Sequence, residues 1–278
     1  MKEPSSGSGE KITARSIITL LTDFGWGDGH IGAMKGVILG INPDCRIIDL
    51  AHQVTSHDVM GAAFVLGQTY AFYPSGTIHL VVVDPGVGSA RKPLVLETRD
   101  YLFVGPDNGC FTHVLKREQE KRAYELVESR FRLACVSQTF HGRDIFAPAA
   151  AHLSRHIAPE EMGPAVDCAD LTRLAIPAPL LDGAGLLGEV ISIDFFGNLV
   201  TNISPEDLGK FARGSSLEIE IKGTRIKGLK GSYEEGKEGE VIALWGSAGL
   251  LEIALKEKNL HQERGWGRGE RIWIRAKR

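Results

Sequence analysis

The chain has 278 residues, 43% hydrophobic and 24% charged, with 33 glycines and 12 prolines, a balance that excludes a disordered, collagen-like or coiled-coil protein and is enough for two modest domains or one large one. Thirty-two basic against 35 acidic residues give a net charge of −3, so no cationic excess exists to neutralise a phosphate backbone, and nucleic acid is not expected as a partner. Cys45, Cys110, Cys135 and Cys168 are far apart and form no C-x-x-C pair, which argues against a zinc cage or disulfide framework and for a reducing cytoplasm.

Residues 1–15 (MKEPSSGSGEKITAR) lack the apolar core of a signal peptide and read as a flexible tail. No apolar run approaches the roughly 18–20 residues of a membrane span, so a soluble protein without membrane contact is expected. From residue 16 onward, short β-type runs alternate with helix-like stretches. "SIITLLTDF" reads as a buried strand, "GHIGAMKGVILGINP" as a helix stopped by Pro43, "CRIIDLAH" as a strand and "SHDVMGAAFVLGQTYAFYP" as a helix. "GTIHLVVVDPGVG" is a strand with a glycine-rich exit, and "PLVLETRDYLFVGPDNG" a hairpin across Arg99 and Asp100. A short helix follows at "CFTHVLKRE". "FHGRDIFAPAAAHLSRHI" opens irregularly and becomes helical, with Asp144 placed as a cap. This order predicts an α/β domain over residues 16–176, a mostly parallel sheet flanked by helices on both faces.

"AIPAPLLDGAG" contains Pro177 and Pro179 and reads as a linker over residues 177–184. Beyond it the hydrophobic period becomes two. "GEVISIDFFGNLVTNI", "SLEIEIKGTRIKGL", "GEVIALWGSAGLLEIAL" and "ERIWIRAK" predict a smaller antiparallel β-barrel or sandwich of five or six strands over residues 185–278.

Ligands of open α/β sheets bind outside the carboxyl ends of the strands, and polar residues gather there. Strand one exits at Thr22 and Asp23 toward Asp28 and His30, strand two at Asp49 and His52, strand three at "DPGVGSAR", and the hairpin at "PDNG". One strand-end aspartate is ordinarily a helix cap; this many together point to a cleft with several carboxylates. In "DPGVGSAR", Gly86 and Gly88 allow the chain to fold Asp84 and Arg91 together, either as an ordinary ion pair or as chemistry. In "FHGRDIFAP", His141 lies in the irregular opening of a helix, a candidate site residue. G-x-G-x-x-G after the first strand, G-x-x-x-x-G-K-[ST] and G-x-S-x-G are all absent, which leaves Rossmann, P-loop and nucleophile-elbow readings unsupported. His30, His52 and His57 have ligand-type atoms, but no H-x-H or H-x-x-x-H pair joins them, and no metal is expected.

"LLTDFGWGDGHIGAMKG", "DPGVGSAR", "VGPDNG", "FHGRDIFAP", "IDFFGNLVTNI" and "GSAGLLEIA" occur in that order. Together they resemble the S-adenosyl-L-methionine hydroxide adenosyltransferases, adenosine-forming hydrolases related to fluorinase and chlorinase, over residues 17–275. The resemblance implies an α/β domain joined to a smaller β-barrel, and homotrimers whose active sites lie between one subunit's first domain and a neighbour's second. It places Asp23 on the ribose hydroxyls, Asp28 and Asp194 on the methionine ammonium, Ser247 at the methionine end, and Phe196 and Asn198 on adenine. Asp84, Arg91 and His141 match the polar trio that separates hydrolases from halogenases.

Departures from the fluorinase pattern argue against fluoride chemistry. His57 replaces a tryptophan, Ala248 an arginine, and Asp84 and Gly142 the tyrosine and serine near the halide. The insertion after "DPGVG" is absent. "KEKNLHQERGWGRG" also differs from the family's stretch near adenine. The expected reaction is attack of water on ribose C5′ with methionine leaving as a neutral thioether, which needs no general acid and no cofactor. Arg91 stays protonated and cannot be the base; Asp84 and His141 are both left open. The alternatives are a non-catalytic S-adenosyl-L-methionine or nucleoside sensor, and chloride-dependent adenosyl transfer.

Overall fold

In the computed structural model, which describes residues 16–183, 185–211 and 216–277, the apolar runs of the first half alternate between two faces of one sheet. Leu80 and Val82 enter a core with Ile18, Leu20 and Val104. Val81 and Val83 enter a second core with Leu94, Leu96 and Phe103. Strands buried on both faces in this way read as continuous hydrophobic runs. The tail expected at residues 1–15 lies outside the described residues.

The sheet contains β1 (Ile17–Thr22), β2 (Arg46–Ala51), β3 (Ile78–Val82), β4 (Pro93–Thr98), β5 (Leu102–Pro106), β6 (Lys121–Glu125) and β7 (Ala165–Val166), in the order β2-β1-β3-β5-β4-β6-β7. The β2-β1-β3-β5 half is parallel. The β4–β5 hairpin turns across Arg99 and Asp100, and β6 and β7 continue antiparallel. Four helices cover the faces: α1 (His30–Ile41), α2 (Val59–Thr69), α3 (Thr112–Arg117) and α4 (Ala147–Leu153). Met34 and Ile38 of α1 join Ala150 and Leu153 of α4 in the first core. Leu66 of α2 and Val114 of α3 lie in the second. This is the expected α/β arrangement.

A π-helical turn, Gly142–Phe146, leads into α4. Pro148 supplies a physical reason: it has no N–H to give the Asp144 carbonyl. That carbonyl instead accepts from Leu133 N–H at 2.9 Å. Asp144 itself is not a helix cap. Its buried carboxylate accepts from Ser137 N–H at 2.8 Å and from Arg143 Nε at 2.6 Å, tying down the segment that precedes His141.

The chain divides into two compact units between Leu174 and Ala175. The second unit contains β8 (Leu180–Asp182), β9 (Gly185–Ile193), β10 (Leu199–Thr201), β11 (Ser216–Ile221), β12 (Thr224–Lys227), β13 (Val241–Trp245), β14 (Leu251–Leu255) and β15 (Arg271–Lys277). Their order is β12-β11-β15-β9-β10-β14-β13, antiparallel throughout, with β8 on β9. A bridge between Lys230 and Leu244 brings the two ends of the sheet together, so it nearly closes as a barrel. Its interior holds Val190, Leu199, Ile219, Ile253 and Ile272. Short helices α5 (Pro205–Phe211) and α6 (Leu260–Arg264) complete it.

Eight strands exceed the five or six expected, for identifiable reasons. Lys222 and Gly223 both have positive φ, +50° and +75°, the signature of a two-residue hairpin turn that splits one apolar run into β11 and β12. Leu180–Asp182, within the stretch expected as linker, pairs with β9.

Candidate active site

The parallel strands of the first unit deliver their exit loops to one edge, where a cavity of about 330 Å³ opens. Asp23 and Asp28 come from the β1 exit, Ser56 and His57 from the β2 exit, and Asp84 and Val87 from the β3 exit. Phe140, His141 and Gly142 close it from the start of the π-helical turn. Asp23 Oδ2 accepts from His57 N–H at 2.8 Å. Among the described residues, its other oxygen and the whole Asp28 carboxylate make no bond to the protein, which leaves acceptors free for a ligand.

Asp84, Arg91 and His141 are joined. Arg91 Nε donates to the Asp84 oxygens at 3.0 and 3.1 Å, and its Nη2 reaches Oδ2 at 2.5 Å. The same Nη2 lies 2.7 Å from His141 Nδ1. The Arg91 and Asp84 side chains are only 9% and 5% exposed, so this is a buried, forked ion pair whose loss on one side would strand the other charge. The Arg91 guanidinium also stacks 5.1 Å from the Phe146 ring centre.

A guanidinium only donates, so His141 Nδ1 must accept and the neutral ring carries its proton on Nε2. Burial and the Arg91 charge hold the His141 pKa below its usual value, favouring that neutral ring. His141 is therefore built as a hydrogen-bond donor through Nε2. Glycine is required nearby: Gly88 has φ +77°, and a Cβ there would sit 2.6 Å from the Gln138 carbonyl oxygen, so the Asp84 loop presses directly on the segment leading to His141.

The second unit has its own cavity, about 660 Å³, lined by Asp194, Phe196, Asn198, Tyr233, Ser247 and Glu252 among others. Phe196 is 72% exposed, offering an open aromatic face. Asn198 donates its backbone N–H to Asp194 Oδ1 at 2.8 Å and its side-chain Nδ2 to Oδ2 at 2.9 Å. Tyr233 Oη donates to Glu252 Oε1. Burial raises the Glu252 pKa, and the nearby Asp194 charge raises it further. The atypical segment after β14 reaches this cavity through Lys256, Glu257, Lys258 and Asn259. Lys256 Nζ is paired with Glu234 at 2.9 Å and Glu257 at 3.4 Å.

The structure thus gathers Asp23, Asp28, Asp84, Arg91 and His141 in the first unit and Asp194, Phe196, Asn198 and Ser247 in the second. Sequence reasoning did not single out Phe140, Tyr233, Glu252 or Lys256. Glu252 lies on a strand of period two, and Phe140, Tyr233 and Lys256 in turns or loops, where a bulky or charged residue carries no mark of the cavity it lines. Among the described residues, no group of three or more His, Cys, Asp or Glu side chains is placed to hold a metal ion. His30 packs on Phe24 and Phe140, and His52 is buried between Thr22 and Asp49.

Comparison with known proteins agrees with this division. Residues 18–163 match the N-terminal domain of the SAM hydroxide adenosyltransferases, and residues 188–273 their C-terminal domain. An (R)-S-adenosyl-L-methionine hydrolase of Thermus thermophilus is 36% identical over 259 residues, covering 91% of this chain and 96% of that protein. A second protein of that name, from Salinispora tropica, is 36% identical over 93% of this chain and 97% of its own length. A fluorinase of an Actinoplanes species is 29% identical, over 74% of this chain and 77% of that one. The crystal structure of an uncharacterized conserved protein from Thermotoga maritima superimposes with a TM-score of 0.84 and 34% identity, over 92% of this chain and 99% of that one. With both domains matched in order and at these identities, the chain belongs to the SAM hydroxide adenosyltransferase family.

Proposed function

We propose that this protein hydrolyses S-adenosyl-L-methionine to adenosine and L-methionine. The observation that carries the reading is the Asp84–Arg91–His141 constellation at a cavity shared with Asp23 and Asp28. A water oxygen forms a bond to ribose C5′ as the C5′–sulfur bond breaks, and its electron pair leaves with sulfur as the neutral thioether of methionine. One proton must be removed from the water. The single acceptor lone pair of His141, on Nδ1, is taken by Arg91 and its Nε2 is already protonated, whereas each Asp84 oxygen keeps a further lone pair beside its Arg91 bond, so Asp84 takes the proton while the His141 Nε2–H orients the water oxygen. Arg91 fixes both partners. A leaving group that departs neutral needs neither an acid nor a cofactor.

Asp23 accepts the ribose hydroxyls through its free oxygen, and Asp28 and Asp194 receive the methionine ammonium with Ser247 nearby. Phe196 and Asn198 take the adenine. Because these sets lie on different units, we also propose a homotrimer in which a neighbour's second unit completes each site, tested by light scattering alongside activity on dilution. Four free cysteines suit a cytoplasmic protein, and among the described residues no helix is long and apolar enough to cross a membrane.

The test is to incubate pure protein with S-adenosyl-L-methionine, with and without chloride, and separate the nucleosides. Adenosine is expected under both conditions. A chlorinated nucleoside means halogenation, and unchanged substrate that nevertheless binds means a sensor.

A further inference from the structure

His52 is 1% exposed, touches none of the groups assigned to the reaction, and sits at the centre of a hydrogen-bond chain. Its Nε2 lies 2.8 Å from Asp49 Oδ1 and its Nδ1 2.8 Å from Thr22 Oγ1. Since a carboxylate only accepts, Nε2 carries a proton, and in the neutral ring Nδ1 accepts from the Thr22 hydroxyl. Thr22 Oγ1 in turn accepts from Phe24 N–H at 3.3 Å, and Asp49 is held from outside by Lys35 Nζ at 2.7 Å. Every donor points the same way, from the Phe24 amide through Thr22 and His52 to Asp49.

The chain ends on the loop that carries the proposed substrate carboxylates. The β1–β2 register shifts between Leu20 and Leu21, setting Leu21 opposite Ala51. Thr22 is the last residue of β1 and His52 the first beyond β2, and their side chains meet. From there the two exit loops are clasped further. Gly25 N–H donates to the His52 carbonyl at 2.8 Å, the Trp26 ring meets the His52 imidazole edge-on at 4.7 Å, and His57 N–H holds Asp23. Gly25 and Gly29 both take left-handed φ, +63° and +65°. A loop with glycine at these positions has little rigidity of its own, so its course depends on such outside contacts.

We infer that His52 is a positioning residue, which through Thr22 sets the height of the 23–29 loop and thereby aims the Asp23 carboxylate at the substrate. The role rests on the hydrolase reading only in naming Asp23 as the substrate's partner; the clasp itself is independent of the reaction.

The experiment compares wild type with Thr22→Val, which keeps the shape and removes the hydroxyl, Thr22→Ser, which restores it, and Asp49→Ala, which reaches the chain from a partly exposed side chain. Hydrogen exchange of the 23–29 segment and steady-state kinetics with S-adenosyl-L-methionine are read together. In Thr22→Val, exchange at Phe24 and Gly25 and the KM should each rise about tenfold while kcat stays within about twofold, the size expected for one buried hydrogen bond that acts on binding alone. Thr22→Ser should return both to near wild type, and Asp49→Ala should move them in the same direction by less. Unchanged loop exchange in Thr22→Val, or a fall in kcat at constant KM, overturns the inference. If Thr22→Val does not fold, the same readouts on Asp49→Ala decide, and no change there overturns it. Should wild type release no adenosine, the hydrolase reading falls by itself. Loop exchange then still supports or overturns the clasp.

Discussion

Asn198 gives Asp194 both its backbone N–H and one side-chain N–H, at 2.8 and 2.9 Å, so the residue assigned to adenine is held in place by the residue assigned to the methionine ammonium. Removing Asp194 should therefore loosen recognition at both ends of the substrate. Asp194→Ala is expected to weaken binding of free adenosine, which has no ammonium, by about tenfold, roughly what one charge-assisted hydrogen bond contributes. Calorimetric titration with adenosine checks this. An unchanged adenosine affinity would confine Asp194 to the methionine end.

The trio of the first unit should act on rate more than on affinity. Asp84→Asn keeps the shape of the side chain but cannot take a proton, and should lower kcat by about 100- to 10,000-fold with little change in KM. His141→Ala should also lower kcat, since water loses its orienting donor. Single-turnover adenosine release measures both.

Acid dependence follows from the Arg91–His141 contact. Burial and the guanidinium charge lower the His141 pKa, so the ring stays neutral, and Nδ1 stays free to accept, as pH falls through the ordinary histidine value of about 6.5. The rate should stay flat across that value and decline only at lower pH. A kcat/KM profile that halves near pH 6.5 and is flattened by His141→Gln would show instead that an ordinary histidine titration controls the rate.

His79 predicts a separate pH effect on stability. It is fully buried, with Nδ1 at 2.8 Å from Thr19 Oγ1 and the rings of Tyr70, Tyr73, Tyr101 and Phe103 around it. Burial pushes its pKa down to about 3. The unfolded chain therefore binds the proton first as pH falls. The stability that His79 contributes is fully present above about pH 6.5 and declines below it by up to about 1.4 kcal/mol per pH unit, until the folded ring itself titrates. Denaturant midpoints at pH 7.5 and 5.0 should differ more in wild type than in His79→Phe.

Gly88→Ala should be disabling although alanine is the smallest possible change. The new Cβ meets the Gln138 carbonyl oxygen at 2.6 Å, at a φ of +77°, and backbone cannot swing aside as a flexible side chain would. A loss of about 1–3 kcal/mol in stability is expected. A larger loss of kcat should accompany it, because the displaced segment carries His141. Thermal melting beside turnover separates the two effects.

The first unit was legible in outline because its signals are local. Runs such as "LVVV" before "DPGVG" announce a strand buried on both faces together with its exit loop, and Asp84 and Arg91 sit within one such loop. What could not be read is what only tertiary pairing creates. Leu180–Asp182 forms a strand because β9 is beside it, despite the prolines that precede it. Asp144 looked like a cap from its place before a helix, yet the chain folds back so that Ser137 N–H, beside the adjacent Arg143, claims its carboxylate. Glu252 and Tyr233, 19 positions apart, meet only when the barrel forms, and nothing in either neighbourhood marks them as partners. The direction of the Arg91–His141 hydrogen bond likewise needed coordinates. Asp84 and His141 were equal candidates for the base in the sequence, which could not show that Arg91 donates to both of them.

The π-helical turn at Gly142–Phe146 makes the placement of His141 a question of phase. Such a turn is in effect an α-helix with one residue too many, and each residue of an α-helix advances the side chains by about 100°. Deleting a single residue of the turn would bring its phase to that of α4, although Pro148 would still leave one carbonyl without its helical partner. It would also rotate His141 by about that angle relative to the packed Ala149–Ala151 face, away from Arg91. The surplus residue works as a spacer, and a shorter helix at this point would keep the scaffold while dismantling the site.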